Sequence, residues 1–442
     1  MQNQKIVFTL SLIILFLASL LGGGQGFLGD VIAQLMAVAL LIACMFNAQS
    51  ELKSASANTR ILSFSFIAII IFVPLLQLYP WPSSGEYAIG ALHDLQQAGL
   101  QITSVSLNKT YGAERALFSL LPAIAIFIAC LQLPLNYRYR LLAALAIIIA
   151  LNIFMGFAQL AQGQGSHLRL YEITNKAEAV GFFANRNHFA SLLMMCLPIS
   201  IAVVAWWAHQ RTSRNSISPI LIIGGALFCI LIVLAIAVAR SRAGLLLGVF
   251  GGLLTLVAVF ALPKRPGMKR ILGVITVIGI LAAIQFGFSG MLQRLDQGVG
   301  DNTRMQIAEI GIEAGKAYAP MGSGLGTFRQ AYAPFEMQHD AYDRTVTNHA
   351  HNDYVELWLE AGYPALLAMG IFCLLFMATG FRVWWQQKQG DSFDVLLSRA
   401  AWIGGFLALL HSCADYPLRT TANMSVFAVL LAIALIPARS KS

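Results

Sequence analysis

The stretch "PILIIGGALFCILIVLAIAVARSRAGLLLGVFGGLLTLVAVFALPKR", Pro219 to Arg265, is two apolar runs with Arg240 and Arg242 between them and Lys264 and Arg265 behind. Each run is about twenty residues long, the length a helix needs to cross a hydrocarbon core of about 30 Å. A tight turn joins them, so the segment reads as a helical hairpin through a bilayer. The same pattern recurs along the chain, roughly at 6–21, 28–46, 61–78, 116–133, 141–161, 189–208, 218–239, 243–262, 271–288, 355–380, 399–416 and 421–436. Alternation over ten-residue segments, the mark of a barrel, is absent. The expected fold is all-α: a polytopic membrane protein of twelve spans, with residues 1–442 as one integral membrane domain.

Composition supports that class. Of 442 residues, 58% are hydrophobic and 11% charged, which no soluble domain of this size matches. The first run follows Lys5, but "LGGGQG" lacks a cleavage pattern and a second run comes at once, so it reads as a retained helix rather than a signal peptide. Cys44, Cys130, Cys196, Cys229 and Cys373 lie inside spans and Cys413 near a span end; without any CxxC pair they read as small apolar filler.

Basic residues set the orientation. With a cytoplasmic N-terminus, the inner loops hold 16 of the 29 Lys and Arg against three acids, Glu51, Asp391 and Asp394, a balance of +13 inside and −4 outside. The net charge of +9 is therefore a topology signal and not a nucleic-acid footprint. Both termini are expected in the cytoplasm. The outer face carries the long segments 79–115, 162–188 and 289–354, the last inserted between spans nine and ten. Long loops usually carry function, so chemistry is expected outside, away from nucleotides.

Within the large loop, "NTRMQIAEIGIEAGKAY" (Asn302 to Tyr318) reads as a short interfacial helix capped by Asn302 or Thr303. "PMGSGLGTF" follows, with Gly322, Gly324 and Gly326. It lacks the GK[ST] ending of a P-loop. Two readings stay open: a flexible turn, or a backbone that must come close to a ligand or another helix. Then comes "TVTNHAHNDYVELWLEAGYPALLAMG" (Thr345 to Gly370), with polar groups gathered before an apolar run. His349 and His351, two apart, make a poor metal pair, and no HExxH occurs. A neutral imidazole at a helix entrance can instead take a proton from an incoming hydroxyl. Asn352 or Asp353 can cap the helix that follows.

Three further clusters face outward. Arg240 and Arg242 in "ARSRAGLLLG" run against the positive-inside trend. Arg240 reads as a snorkelling side chain, whereas Arg242, opening a helix beside Ala243 and Gly244, and Arg304 are candidate anion ligands. "GFFANRNHFASLL" places Asn185, Arg186, Asn187 and His188 at the start of the sixth span. "HSCADYPLR" sets His411 and Asp415 one turn apart, where they can pair. For these last two segments an interhelix network is the plainer reading.

With these residues in view, the chain resembles the O-antigen ligase/O-antigen polymerase superfamily of bacterial envelope glycosyltransferases. The features that carry the resemblance are His351-Asn352 followed after nine residues by Gly362, "SRAG" at 241–244, "NTR" at 302–304, "GSGLGTF", "NRNHFA" and "HSCADYPLR". The family's second glycine, three positions on, is Ala365 here. The resemblance spans about 180 to 436. It implies en bloc transfer of a glycan from undecaprenyl diphosphate to an acceptor hydroxyl, lipid- or glycan-linked, at the periplasmic face of the inner membrane, with no metal and no cofactor. It gives the proton-accepting role to His351 and the diphosphate to Arg242 and Arg304. Asn352, His349, Asn187, His411, Asp415 and Gly324 are expected to support them. Ligase and polymerase activities are not separated by these motifs. A protein O-oligosaccharyltransferase of the same family ranks below them, because the chain ends six residues after its last span. A twelve-span secondary transporter is the alternative from another class, but the assigned spans lack an ionisable group near mid-membrane.

Overall fold

In a computed structural model, the opening hairpin folds as expected. Pro219–Val238 and Arg242–Phe260 are helices joined by a turn in which Arg240 adopts a left-handed φ of 52°. Residues 2–23, 27–47, 50–83, 85–106, 110–171, 176–210, 217–260, 301–338, 347–386 and 392–435 are described. In chain order the principal helices are α1 (Gln2–Leu21), α2 (Phe27–Met45), α3 (Ala57–Leu76), α4 (Glu86–Gln97), α5 (Thr110–Gln132), α6 (Leu135–Gln162), α7 (Arg186–Gln210), α8 (Pro219–Val238), α9 (Arg242–Phe260), α10 (Asp301–Ala317), α11 (Phe328–Gln338), α12 (Asp353–Phe381), α13 (Phe393–His411) and α14 (Thr421–Leu435). Among the described residues ten helices are long and apolar enough to cross a membrane, and α14, at 15 residues, is shorter. The expected span at 271–288 lies outside the described residues.

The most buried of the membrane-length helices is α7, which packs against α8, α9 and α13, while α14 packs on α5 and α13. Its residues Phe189, Leu192, Leu193, Met194 and Met195 are fully enclosed. A helix that is apolar on all sides can be surrounded by other helices in this way. Cys44, Cys130, Cys196 and Cys229 are buried free thiols, and Cys373 and Cys413 are exposed.

Hydrogen bonds between helix ends sort the bundle into two ends without reference to charge. At one end Asn3 Nδ2 donates to the Phe46 carbonyl (2.8 Å), the Tyr139 hydroxyl to Asp394 (2.5 Å) and Arg382 to Thr59 (3.0 Å). At the other, the Ala184 amide donates to the Gly23 carbonyl (3.1 Å), Thr421 to Asp30 (2.9 Å) and Asn423 to the His188 carbonyl (3.1 Å). These two sets match the alternation read from the loops. The helices α10 and α11 stand at the second end, where Ile310, Ala314, Tyr318, Phe328, Tyr332 and Phe335 form a separate small core with Val355 and Leu359 of α12.

Two expectations are corrected. Asn302 and Thr303 lie within the helix Asp301–Ala317 rather than at a cap. The long run beginning near 355 is not one straight helix. Gly362, at φ 57° and ψ −142°, breaks α12 into an entrance half and a long half. A break leaves carbonyls without partners in the last turn of the first half. Here the glycine segment supplies them: the Ser323 amide donates to Leu359 (3.0 Å) and the Gly324 amide to Glu360 (2.8 Å). Tyr363, restarting the helix, donates to the Pro320 carbonyl (2.9 Å). Gln77, just after α3, also donates to the Glu360 carbonyl (2.9 Å) and accepts from the Leu325 amide (2.9 Å). The approach is close enough that a Cβ on Gly362 would stand 2.1 Å from the Pro320 carbonyl oxygen, and one on Gly322 would stand 2.4 Å from the Ala361 nitrogen. Gly322, Gly324 and Gly362 all have positive φ, which glycine adopts without penalty. Of the two readings left open for this segment, contact with another helix is the one observed.

Candidate active site

The entrance half of α12 positions the site. Asn352 is its N-cap, with the side-chain oxygen accepting from the Tyr354 (3.0 Å) and Val355 (3.2 Å) amides. Its side-chain nitrogen donates to the Cys413 carbonyl (3.0 Å), and the Asp353 amide donates to Ser412 (2.9 Å). The turn after α13 is thereby held against the mouth of α12. His351, immediately before the cap, has a φ of 49°. This left-handed backbone is uncommon for a residue with a side chain and persists where the surroundings enforce it.

That turn delivers Asp415, whose side chain is wholly buried. His351 Nδ1 lies 3.2 Å from Asp415 Oδ1, and Asn187 of α7 donates to Oδ2. The Tyr416 amide also donates to Oδ1 (3.0 Å). Arg304 of α10 stands 3.9 Å from Oδ2 and His188 stands 4.0 Å from Oδ1. Burial by itself would raise the Asp415 carboxyl. The hydrogen bond from His351 and the nearby His188, His351 and Arg304 outweigh it and hold the group well below the usual carboxylate range. An ionised carboxylate only accepts, so Nδ1 of His351 carries the hydrogen. In the neutral ring Nε2 is then left with a lone pair. The His351 side chain is 31% exposed, so this mouth is open to a reactant.

Arg304 anchors one arm of its guanidinium by donating to the Ala414 carbonyl (2.8 Å), and its side chain remains 38% exposed. Arg242 opens α9 at the same end. Its turn is pressed onto α7, since a Cβ on Gly244 would stand 2.7 Å from that of Ala190, one turn along from Asn187. His349 points elsewhere: Nδ1 is 2.8 Å from Glu356, and the ring stacks on Tyr416 with centroids 4.2 Å apart. The expected pairing of His411 with Asp415 is not made. The His411 Nδ1 is hydrogen-bonded with Ser191 of α7, while Asp415 is turned toward His351, Asn187 and Arg304. Gly324 acts at the far end of the entrance half, not at the imidazole.

Several residues of the site carry no role in the sequence reading. His188, His349 and His351 all lie against the Tyr416 ring, at 4.8, 4.2 and 5.3 Å between centroids. Burial, and then the Asp415 charge, push the Tyr416 phenol up to about 12, so it stays neutral as a wall of the site. Arg419, in the short turn Pro417–Arg419, meets Asp353, Glu356 and Glu360 together. Three acids on one face at a membrane-helix mouth were the available signal, because such a row needs a cation nearby.

These features define a multi-pass helical membrane protein with an oriented imidazole and arginines gathered at one end. Among the described residues no cluster of side chains suited to a metal ion occurs. Residues 227–370 match the family model described as O-antigen ligase, which supports the resemblance of the chain to the O-antigen ligase/polymerase superfamily of membrane glycosyltransferases. No curated protein matches the chain. The matched stretch contains Arg242, Arg304, Gly324, His349, His351 and Asn352 and is narrower than the 180–436 of the sequence resemblance. Asn187, Asp415, Tyr416 and Arg419 lie outside it and join the site through the fold.

Proposed function

We propose that this protein transfers a glycan en bloc from undecaprenyl diphosphate to an acceptor hydroxyl at the periplasmic face of the inner membrane. The observation that carries the reading is the pair of His351 Nδ1 with buried Asp415, which fixes the tautomer and leaves Nε2 to accept a proton. The acceptor oxygen gives its proton to Nε2 and attacks the anomeric carbon. The bond from that carbon to the diphosphate oxygen breaks, and the diphosphate leaves with the electron pair. Its charge is met by Arg304 and Arg242, whose planar forks suit phosphate oxygens. Protein residues supply both proton acceptor and anion site, so no cofactor enters the scheme.

The test is a transfer assay with purified protein, lipid-linked glycan and acceptor, without an ion gradient. Product formation supports the reading, and a lipid-linked glycan that stays intact under all acceptors overturns it. Whether the acceptor is lipid A core or another repeat unit is decided in cells lacking the gene. Chains completed on the carrier but unattached mean a ligase; single repeat units mean a polymerase.

A further inference from the structure

Asp353, Glu356 and Glu360 lie on one face of the entrance half of α12, and all three carboxylates converge on Arg419. Its Nε is 3.3 Å from Asp353, one terminal nitrogen is 2.9 Å from Glu356 and the other 3.2 Å from Glu360. The Glu356 and Glu360 side chains are 1% exposed. Three carboxylates so close repel one another, and burial penalises each charge, so the row holds its geometry only around a cation. Burial acts to lower the Arg419 guanidinium, but Glu356, Glu360 and Asp353 outweigh it and hold it above its ordinary value.

The carboxylates do not end at Arg419. Glu356 Oε2 accepts from the Ala350 amide (2.9 Å) and Oε1 is paired with His349 Nδ1 (2.8 Å), so this one side chain grips the two residues directly before His351. Glu360 Oε1 accepts from the Phe328 amide (3.2 Å) at the start of α11. On the other side of His351, Asn352 and Asp353 are tied to Cys413 and Ser412. A left-handed His351 is thus held from both flanks. The segment 415–419 supplies Asp415 to the ring and Arg419 to the clamp on its backbone.

We propose that Arg419 and Glu356 are positioning residues that hold the 349–351 backbone in the conformation that brings His351 Nδ1 to Asp415. Arg419 keeps Glu356 in place, Glu356 holds His349 and Ala350, and neither touches substrate. This rests on the reading of His351 as the proton acceptor. A misplacement of about 1 Å at a reacting group can lower a rate about 100-fold, so loss of the clamp should show in turnover while the arginine site for the donor persists.

The full-length protein in nanodiscs tests it, with turnover, donor KM and amide hydrogen exchange measured on the same samples. Glu356→Gln, nearly isosteric, should lower kcat about 10–100-fold, change donor KM less than about twofold, and speed exchange at Ala350. Arg419→Met should do the same and also speed exchange at Phe328, and Arg419→Lys should recover part of the turnover. If Arg419→Met fails to insert, Glu356→Gln decides alone. Unchanged Ala350 exchange, or kcat unchanged beside faster exchange, overturns the proposal, as does a rise in KM matching the loss of kcat. His351→Ala in the same assay separates the two ideas. Its normal turnover overturns the reading of the site, whereas normal turnover of Glu356→Gln beside an inactive His351→Ala overturns only the clamp.

Discussion

His351 and Asp415 stand 64 positions apart in the chain and meet at 3.2 Å, the imidazole partly open to solvent and the carboxylate fully enclosed. A buried acceptor behind an exposed ring leaves one nitrogen available for a proton. His351→Ala should therefore abolish transfer, and Asp415→Asn should lower turnover on the order of 10²–10⁴-fold, because an amide no longer dictates which nitrogen carries the hydrogen. Donor affinity should survive in both. Residues acting as a unit are not additive, so the double variant should be no slower than the slower single one. Turnover constants and lipid-donor binding on purified variants check this; loss of donor binding together with turnover in His351→Ala would mean that the residue only shapes the entrance.

The arginines should part by geometry. Arg304→Lys and Arg242→Lys keep the charge and lose the planar fork, so each should reduce activity although the protein still inserts. Arg240→Lys should be tolerated, since that side chain is exposed and reads as snorkelling. Equal tolerance at all three positions would argue against a diphosphate clamp.

Asp415 also makes a prediction about pH. Its folded-state value lies below that of an unfolded aspartate, near 3.9. Such a group contributes stability that is fully present above the unfolded value and is lost as pH falls through the folded one. Between about pH 5 and pH 8 the gap in melting temperature between the native protein and Asp415→Asn should therefore not narrow as pH falls. Narrowing in that window, measured by thermal unfolding in detergent, would mean that burial dominates and the carboxyl takes up a proton.

Gly362→Ala should be among the most damaging single-methyl changes in the chain. The new methyl would meet the Pro320 carbonyl at 2.1 Å, and the φ of 57° is unfavourable for alanine. Strained backbone alone costs about 1–3 kcal/mol, so a clear fall in melting temperature is expected, with activity lost alongside. Ala365→Gly, at the buried position where the family's second glycine falls, should cost no more than about 1 kcal/mol. Thermal unfolding of the two variants side by side decides whether the break at 362 is required.

Reporter fusions test the orientation. Leu100 and Gln338 should read periplasmic and Pro134 cytoplasmic, from the excess of Lys and Arg in the inner loops, to which Pro134 belongs. A cytoplasmic signal at Gln338 would put the site in the wrong compartment for a lipid-linked glycan.

The sequence by itself determined the helices and the types of residue gathered at their mouths. A segment that crosses lipid must satisfy its own backbone within the helix, so its length and hydropathy are local properties, visible at 219–238 or 186–210 without knowing any neighbour. The types of residue at the site were legible for the same reason. Titratable groups such as His351, Arg304 and Asp415 are conspicuous beside apolar runs, and Asn352 sits where a helix must be capped. Which of them touch was decided only by the tertiary structure. Asp415 turns to His351 and to Asn187, 228 positions away, rather than to His411 one turn before it, because the packing of α7, α12 and α13 sets those directions. Three acids on α12 called for a cation nearby, but that Arg419 is the one that gathers them was decided only when the turn at 417–419 folded against the helix. The glycines at 322 and 324 likewise gained a meaning only when Gly362 broke the helix and left carbonyls for their segment to satisfy. Burial and hydropathy act residue by residue along the chain. Pairing of charges depends on distances across it, and those exist only in the assembled bundle.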